Sequence, residues 1–180
     1  SFDENLFINE TQIYRKNSKN LNCKRHFKIF NKFNVIPKYC FACYKIQISL
    51  ANVVDLIKLY FVFNNIYLEK NNIRKCMVEV RENIKGNYKG YIYCDGLIDA
   101  EIILKKINLI MNGAKFKNFK IEIKHGCSEF YSSYPNFKKI NFNSDQEMKY
   151  DEKWSEKENI IDKQYPVREY KDKKIFSKTL

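Results

Sequence analysis

The sequence predicts an α+β fold, a four-stranded antiparallel sheet with two helices on one face, in the order β-α-β-β-α-β. Three observations predict it. Apolar and polar residues alternate in four separate segments, as on half-buried strands. Two intervening segments space their apolar residues by three and four, as helices do. Asn, Asp and Gly punctuate the joins.

The first strand is YKIQISL, with Tyr44, Ile46, Ile48 and Leu50 on one face and Lys45, Gln47 and Ser49 on the other. Asn52 suits a helix N-cap, with Asp55 three residues on. Val53, Leu56, Ile57, Tyr60 and Phe63 then follow at helical spacing. Val54, Leu59 and Val62 make the opposite side apolar too, so a terminal segment is expected to pack there. Residues 74–81 form the second strand, with Cys76, Val78 and Val80 opposite Met77, Glu79 and Arg81. A connection containing Gly86 leads to the third strand, Tyr88 to Cys94. Asp95-Gly96 opens a helix from about Leu97. Asp99 and Glu101 suit its dipole, and Ala100, Ile103, Leu104, Ile107 and Met111 form its buried stripe. Gly113 closes it. The fourth strand is Phe119 to Lys124. This order is the ferredoxin-like arrangement, whose helix-free face is open.

Three regions follow. Residues 1–42 are an N-terminal extension holding a Cys/His segment. Residues 43–126 are the ferredoxin-like domain. Residues 127–180 are a wrapping tail or linker with a charged helical candidate near 151–162.

The chain of 180 residues is 44% hydrophobic and carries a net charge of +12, with a pI near 9.3. The apolar content is ample for a core and excludes wholesale disorder. Eight Lys/Arg and seven Asp/Glu fall after residue 150, so the positive excess belongs to the body. Such an excess attracts polyanions. No apolar run reaches the roughly 18 residues of a membrane span. No signal peptide pattern opens the sequence. Several of the six cysteines lie in strand-like segments, which points to reduced thiols and a cytoplasmic location.

Cys23-x-x-His26 and Cys40-x-x-Cys43 form two pairs with two-residue gaps. Such pairs can place four ligands around one tetrahedral zinc ion. His125 or Cys127 can replace either of the weaker ligands. Buried structural thiols beside one histidine are the alternative. His125 and Cys127 also point the same way in an extended chain, where an imidazole can activate a thiol. No phosphate-binding glycine loop, zinc-protease helix motif or nucleophile elbow is present, which argues against the common nucleotide-dependent enzymes.

The helix-free face is expected to show Lys45, Gln47, Met77, Glu79, Arg81, Lys89, Tyr91, Tyr93, Lys120, Glu122 and Lys124. Tyrosines among lysines suit base stacking beside phosphate neutralisation. The hexapeptide KGYIYC, Lys89 to Cys94, resembles the third-strand motif of the RNA-recognition-motif family. Lys89, Gly90, Tyr91 and Tyr93 match its basic, glycine and two aromatic positions. Ile92, Gly96 and Gln47 depart from the family's pattern. The resemblance implies base stacking by Tyr91 and Tyr93. Lys45, Arg81, Lys89, Lys120 and Lys124 are then the expected phosphate contacts. The competing expectations are a protein-interaction or self-associating domain without nucleic-acid or catalytic activity, and an outer face covered by the tail, with Tyr91 and Tyr93 against Trp154 or Phe142.

Overall fold

The computed structural model describes residues 11–80 and 85–164. Five strands build one antiparallel sheet: β1 (Gln12–Lys16), β2 (Cys43–Leu50), β3 (Arg74–Val78), β4 (Tyr88–Asp95) and β5 (Lys120–His125). Their spatial order is β1-β3-β4-β2-β5. The described residues also hold four α-helices: α1 (Cys23–Phe33), α2 (Val53–Asn65), α3 (Leu97–Gly113) and α4 (Ser155–Gln164). The architecture is α+β, as the alternation implied, but the sheet has five strands rather than four. The extra strand, β1, comes from the N-terminal extension. β1 pairs along β3, and its Tyr14 ring meets Tyr60 of α2 edge-on at 4.8 Å. A five-residue strand with one inward aromatic gives too short a pattern to read.

β2 lies between β4 and β5 and pairs with both over most of its length. Ile46 and Ile48 are wholly buried under α2 and α3, together with Leu56, Leu59, Phe63, Ile92, Ala100, Ile107 and Met111. Each helix starts where its local chemistry allows. The Asn52 side chain accepts from the Asp55 N–H at 2.9 Å and donates to the Asp55 carboxylate at 3.0 Å, a reciprocal cap. Asp99 turns back to accept from the Asp95 N–H at 2.9 Å, across Gly96 at φ +95°. No basic residue lies in the last turn of α2. Arg74 of β3 supplies one from outside. Its Nη1 donates to the carbonyls of Phe63 (2.9 Å) and Ile66 (2.6 Å), so a guanidinium caps the helix from within the core.

α2 buries Leu56, Leu59 and Phe63, whereas Val53, Val54, Ile57 and Phe61 are 48–58% exposed. The expected stripe is therefore rotated, and the outer side of the helix is open instead of covered. Gly90 explains the rotation. A Cβ there would overlap Leu59 Cδ2 and stand 3.1 Å from the Phe63 ring. Without one, these two side chains seat directly on the β4 backbone.

A second layer packs at the end of the sheet where β2 begins and β5 stops. Ile36, Cys40, Phe130 and Phe137 form its buried centre, joined by Phe27, Phe30, Phe41, Tyr134 and Trp154. α1 and α4 clasp beside it over Ile29, Val35 and Ile161. The Arg25 Nε and Nη2 donate to the two carboxylate oxygens of Asp162 at 2.5 and 2.7 Å, and Nη2 stands 3.0 Å from Glu158. These bonds tie two helices more than a hundred residues apart in sequence. No helix among the described residues is long and apolar enough to cross a membrane.

Gly90→Ala is expected to lower unfolding stability by about 1–3 kcal/mol through overpacking, read from urea denaturation. An unchanged midpoint would show that α2 does not press on β4. Asn52→Ala is expected to lower stability by about 1 kcal/mol through loss of the cap.

Candidate nucleic-acid interface and thiol cluster

The helix-free face is built by strand register. Three rows of side chains cross it. In the first, Tyr93, Lys45 and Lys124 stand directly opposite one another on β4, β2 and β5. In the second the order is Arg15, Lys75, Tyr91, Gln47 and Glu122. In the third it is Met77, Lys89, Ser49 and Lys120. Alternation thus placed Lys45, Lys89, Tyr91, Tyr93, Lys120 and Lys124 correctly on one side. Arg81 lies outside the described residues. Lys75 and Arg15 were missed. Lys75 was legible from the β3 alternation, and Arg15 lies on the strand that was not foreseen.

The face is half-buried, and its members are not equivalent. Lys120 is open to solvent, with its side chain 71% exposed, and stands 2.7 Å from Glu122. Lys89 is only 2% exposed, with its ammonium 3.8 Å from the buried Glu79 carboxylate. Its place in the KGYIYC hexapeptide thus has a structural reading beside the Gly90 helix seat. Gln47, 6% exposed, donates to Ser49 and accepts from the Tyr91 hydroxyl at 3.1 Å. The tyrosine rings are flanked by cations: Lys45 and Lys75 ammoniums lie 5.7 and 5.5 Å from the Tyr91 centroid, and Lys75 lies 5.5 Å from that of Tyr93. Trp154 instead packs with Phe41, Tyr134 and Tyr150, in the second layer.

Like charges crowd here. Burial first, then the neighbouring Lys45 and Arg15, pushes the Lys75 ammonium below its ordinary pKa. Burial also pushes Lys124 down, with Lys45, Lys89 and Lys138 adding to the effect against the opposing pull of Glu122. Directly opposed like charges on neighbouring strands destabilise a sheet.

At the same end of the face lies a cluster of thiols. Cys23, Cys40, Cys43 and Cys127, with His26, Tyr39 and Gly126, line one small void. Cys40 and Cys43 flank the last turn before β2, Cys127 follows β5, and Cys23 opens α1. Burial raises all four thiols, Cys43 to about 11. They are neutral at pH 7 as the chain stands. Among the described residues, no three His, Cys, Asp or Glu groups are drawn together as an ion-holding set. The anticipated quartet of Cys23, His26, Cys40 and Cys43 does share this void, and Cys127 joins it. His26 is buried and stacked on Tyr39 at 5.3 Å.

His125 is the joint between the two layers. Its ring stacks on Tyr44 at 4.5 Å and lies 4.2 Å from Phe137. Its two nitrogens face the carbonyls of Phe137 (2.8 Å) and Phe41 (2.9 Å). Burial pushes its pKa down, against the pull of both carbonyls. Its two nitrogens are directed at carbonyls and not at Cys127, and the raised Cys127 thiol is the reverse of an activated nucleophile. Comparisons with protein-family models, curated proteins and solved structures find no match for this chain.

His125→Phe keeps the ring and removes both polar contacts. It is expected to cost about 1–3 kcal/mol of stability, measured by chemical denaturation. Labelling of Cys127 at neutral pH is expected to be slow in the native protein. Fast, selective labelling that disappears in His125→Phe would restore the dyad.

Proposed function

We propose that the chain is a binding module for single-stranded nucleic acid, acting through the outer sheet face. The observation that carries this reading is the packing of Lys45 directly against Lys124, with Lys75 close by, around Tyr91 and Tyr93. The fold alone gains nothing from this repulsion. A phosphate backbone laid across the rows would relieve it, and bases would find the tyrosine rings within reach. Lys45, Lys75, Lys120 and Lys124 make the phosphate contacts. Lys89 serves the interior. β2 to β5 with α2 and α3 act as a ferredoxin-like unit, extended at one edge by β1 and at one end by the second layer. The free cysteines, three of them buried, fit a cytoplasmic setting.

A second reading has its own observation. Ile98, Ile102 and Leu109 of α3 are 62–75% exposed, and the outer side of α2 is open too. Exposed apolar residues in this number suit a protein partner or a second copy.

Affinity for a mixed-sequence single-stranded oligonucleotide is expected to fall steeply with salt, by fluorescence anisotropy. Lys45→Gln with Lys124→Gln should weaken binding and flatten the salt slope. Tyr91→Ala should cost about 1–3 kcal/mol. Absence of binding to any single-stranded pool at low salt overturns the proposal. A concentration-dependent dimer abolished by Phe61→Glu, without nucleic-acid affinity, would favour the second reading.

A further inference from the structure

We propose that Cys23, Cys40, Cys43 and Cys127 bind a structural zinc ion that pins α1 and the segment after β5 onto the outer end of the sheet. Two observations support this placement, independently of the nucleic-acid reading.

The first is convergence. Three separate stretches of chain bring four thiols to the wall of one void of about 10 Å³. This is close to the space of a single water molecule, so the void suits an ion and not an organic ligand. Cys40 and Cys43 bracket a 3-10 turn, the two-residue spacing that bites one side of a tetrahedral ion. Cys127 is fixed beside them because the Gly126 N–H donates to the Cys43 carbonyl at 2.7 Å. Gly126 itself holds φ +57°, and a Cβ there would overlap the Phe137 ring, so the turn at this point favours glycine.

The second is the start of α1. Asn22 provides no side-chain cap and the first turn has no acidic residue. Cys23 is the first helical residue. A thiolate there receives the helix dipole and the unmatched N–H groups.

Cys127 is chosen over His26 as the fourth ligand. The Gly126–Cys43 bond seats Cys127 beside the Cys40–Cys43 turn, whereas the His26 ring is stacked on Tyr39. Loading exchanges four S–H protons for four Zn–S bonds and leaves no sulfur oxidised. Binding therefore releases protons, and apparent affinity weakens as pH falls.

The test uses the full chain, purified under reductant from zinc-supplemented cells. Elemental analysis is expected to find one zinc per chain. Cobalt(II) exchanged into the site should show tetrahedral bands with the sulfur charge-transfer intensity of four thiolates. Cys76→Ala and Cys94→Ala, in the main core, should retain the metal. His26→Gln should keep the four-thiolate spectrum, and Cys127→Ser should lose it. Should a Cys→Ser variant fail to fold, the cobalt spectrum of the unaltered chain still decides. A chain that carries no zinc and gives no tetrahedral cobalt spectrum overturns the proposal. So does loss of metal from His26→Gln with retention in Cys127→Ser.

Discussion

β2 is paired on both sides, and its register is the constraint from which the other features follow. Its even-numbered residues, Tyr44 to Leu50, form the floor of the main core. Its odd-numbered residues set Lys45 against Lys124 and Tyr93, and Gln47 against Tyr91 and Glu122. A slip of one residue would send Ile46 and Ile48 to the outer face and bury Lys45. The loss of burying two isoleucines, about 1.5–3 kcal/mol for each such side chain, makes that alternative unfavourable. The strand also begins at Cys43, so the same register places the thiol void at one end of the lysine rows.

The second layer depends on this arrangement through His125. This residue pairs with Tyr44 across β5 and β2 and reaches the carbonyls of Phe41 and Phe137 beyond the strand ends. One ring thus joins the sheet to both segments that form the added layer. The aromatic contacts that follow, Phe41 with Phe137 and Trp154 and Phe130 with Phe30, continue from that joint. Residues 23–33 carry a one-sided apolar stripe, whereas residues 128–164 have little regular apolar pattern of their own. They order by packing on each other, which explains why an aromatic-rich stretch without strong periodicity becomes a core.

Much of the fold was legible, because strand alternation and helix capping are local. Lys45, Lys89, Tyr91, Tyr93, Lys120 and Lys124 were placed on the correct face by period-two spacing alone. Asn52 and Asp99 announced their helices. What was not legible depends on distant partners. Gly90 looks like part of a recognition hexapeptide until Leu59 and Phe63 are seen against it. Lys89 reads as a surface cation until Glu79 appears beside it. The apolar outer side of α2 reads as a buried surface because sequence records hydrophobicity and not coverage. Cys127 was noticed as a substitute ligand and as a thiol beside His125, but its proximity to Cys40 and Cys43 comes from β2–β5 pairing and not from spacing.

The central claim is that cations are held in mutual repulsion on the outer face, ready for a polyanion. Titration of individual lysine ammonium groups by NMR, with and without a single-stranded oligonucleotide, tests it most directly. The account predicts that Lys75 and Lys124 titrate below the ordinary lysine value in the free protein and rise when the oligonucleotide is added. Ordinary values for both, unmoved by the oligonucleotide, would contradict it.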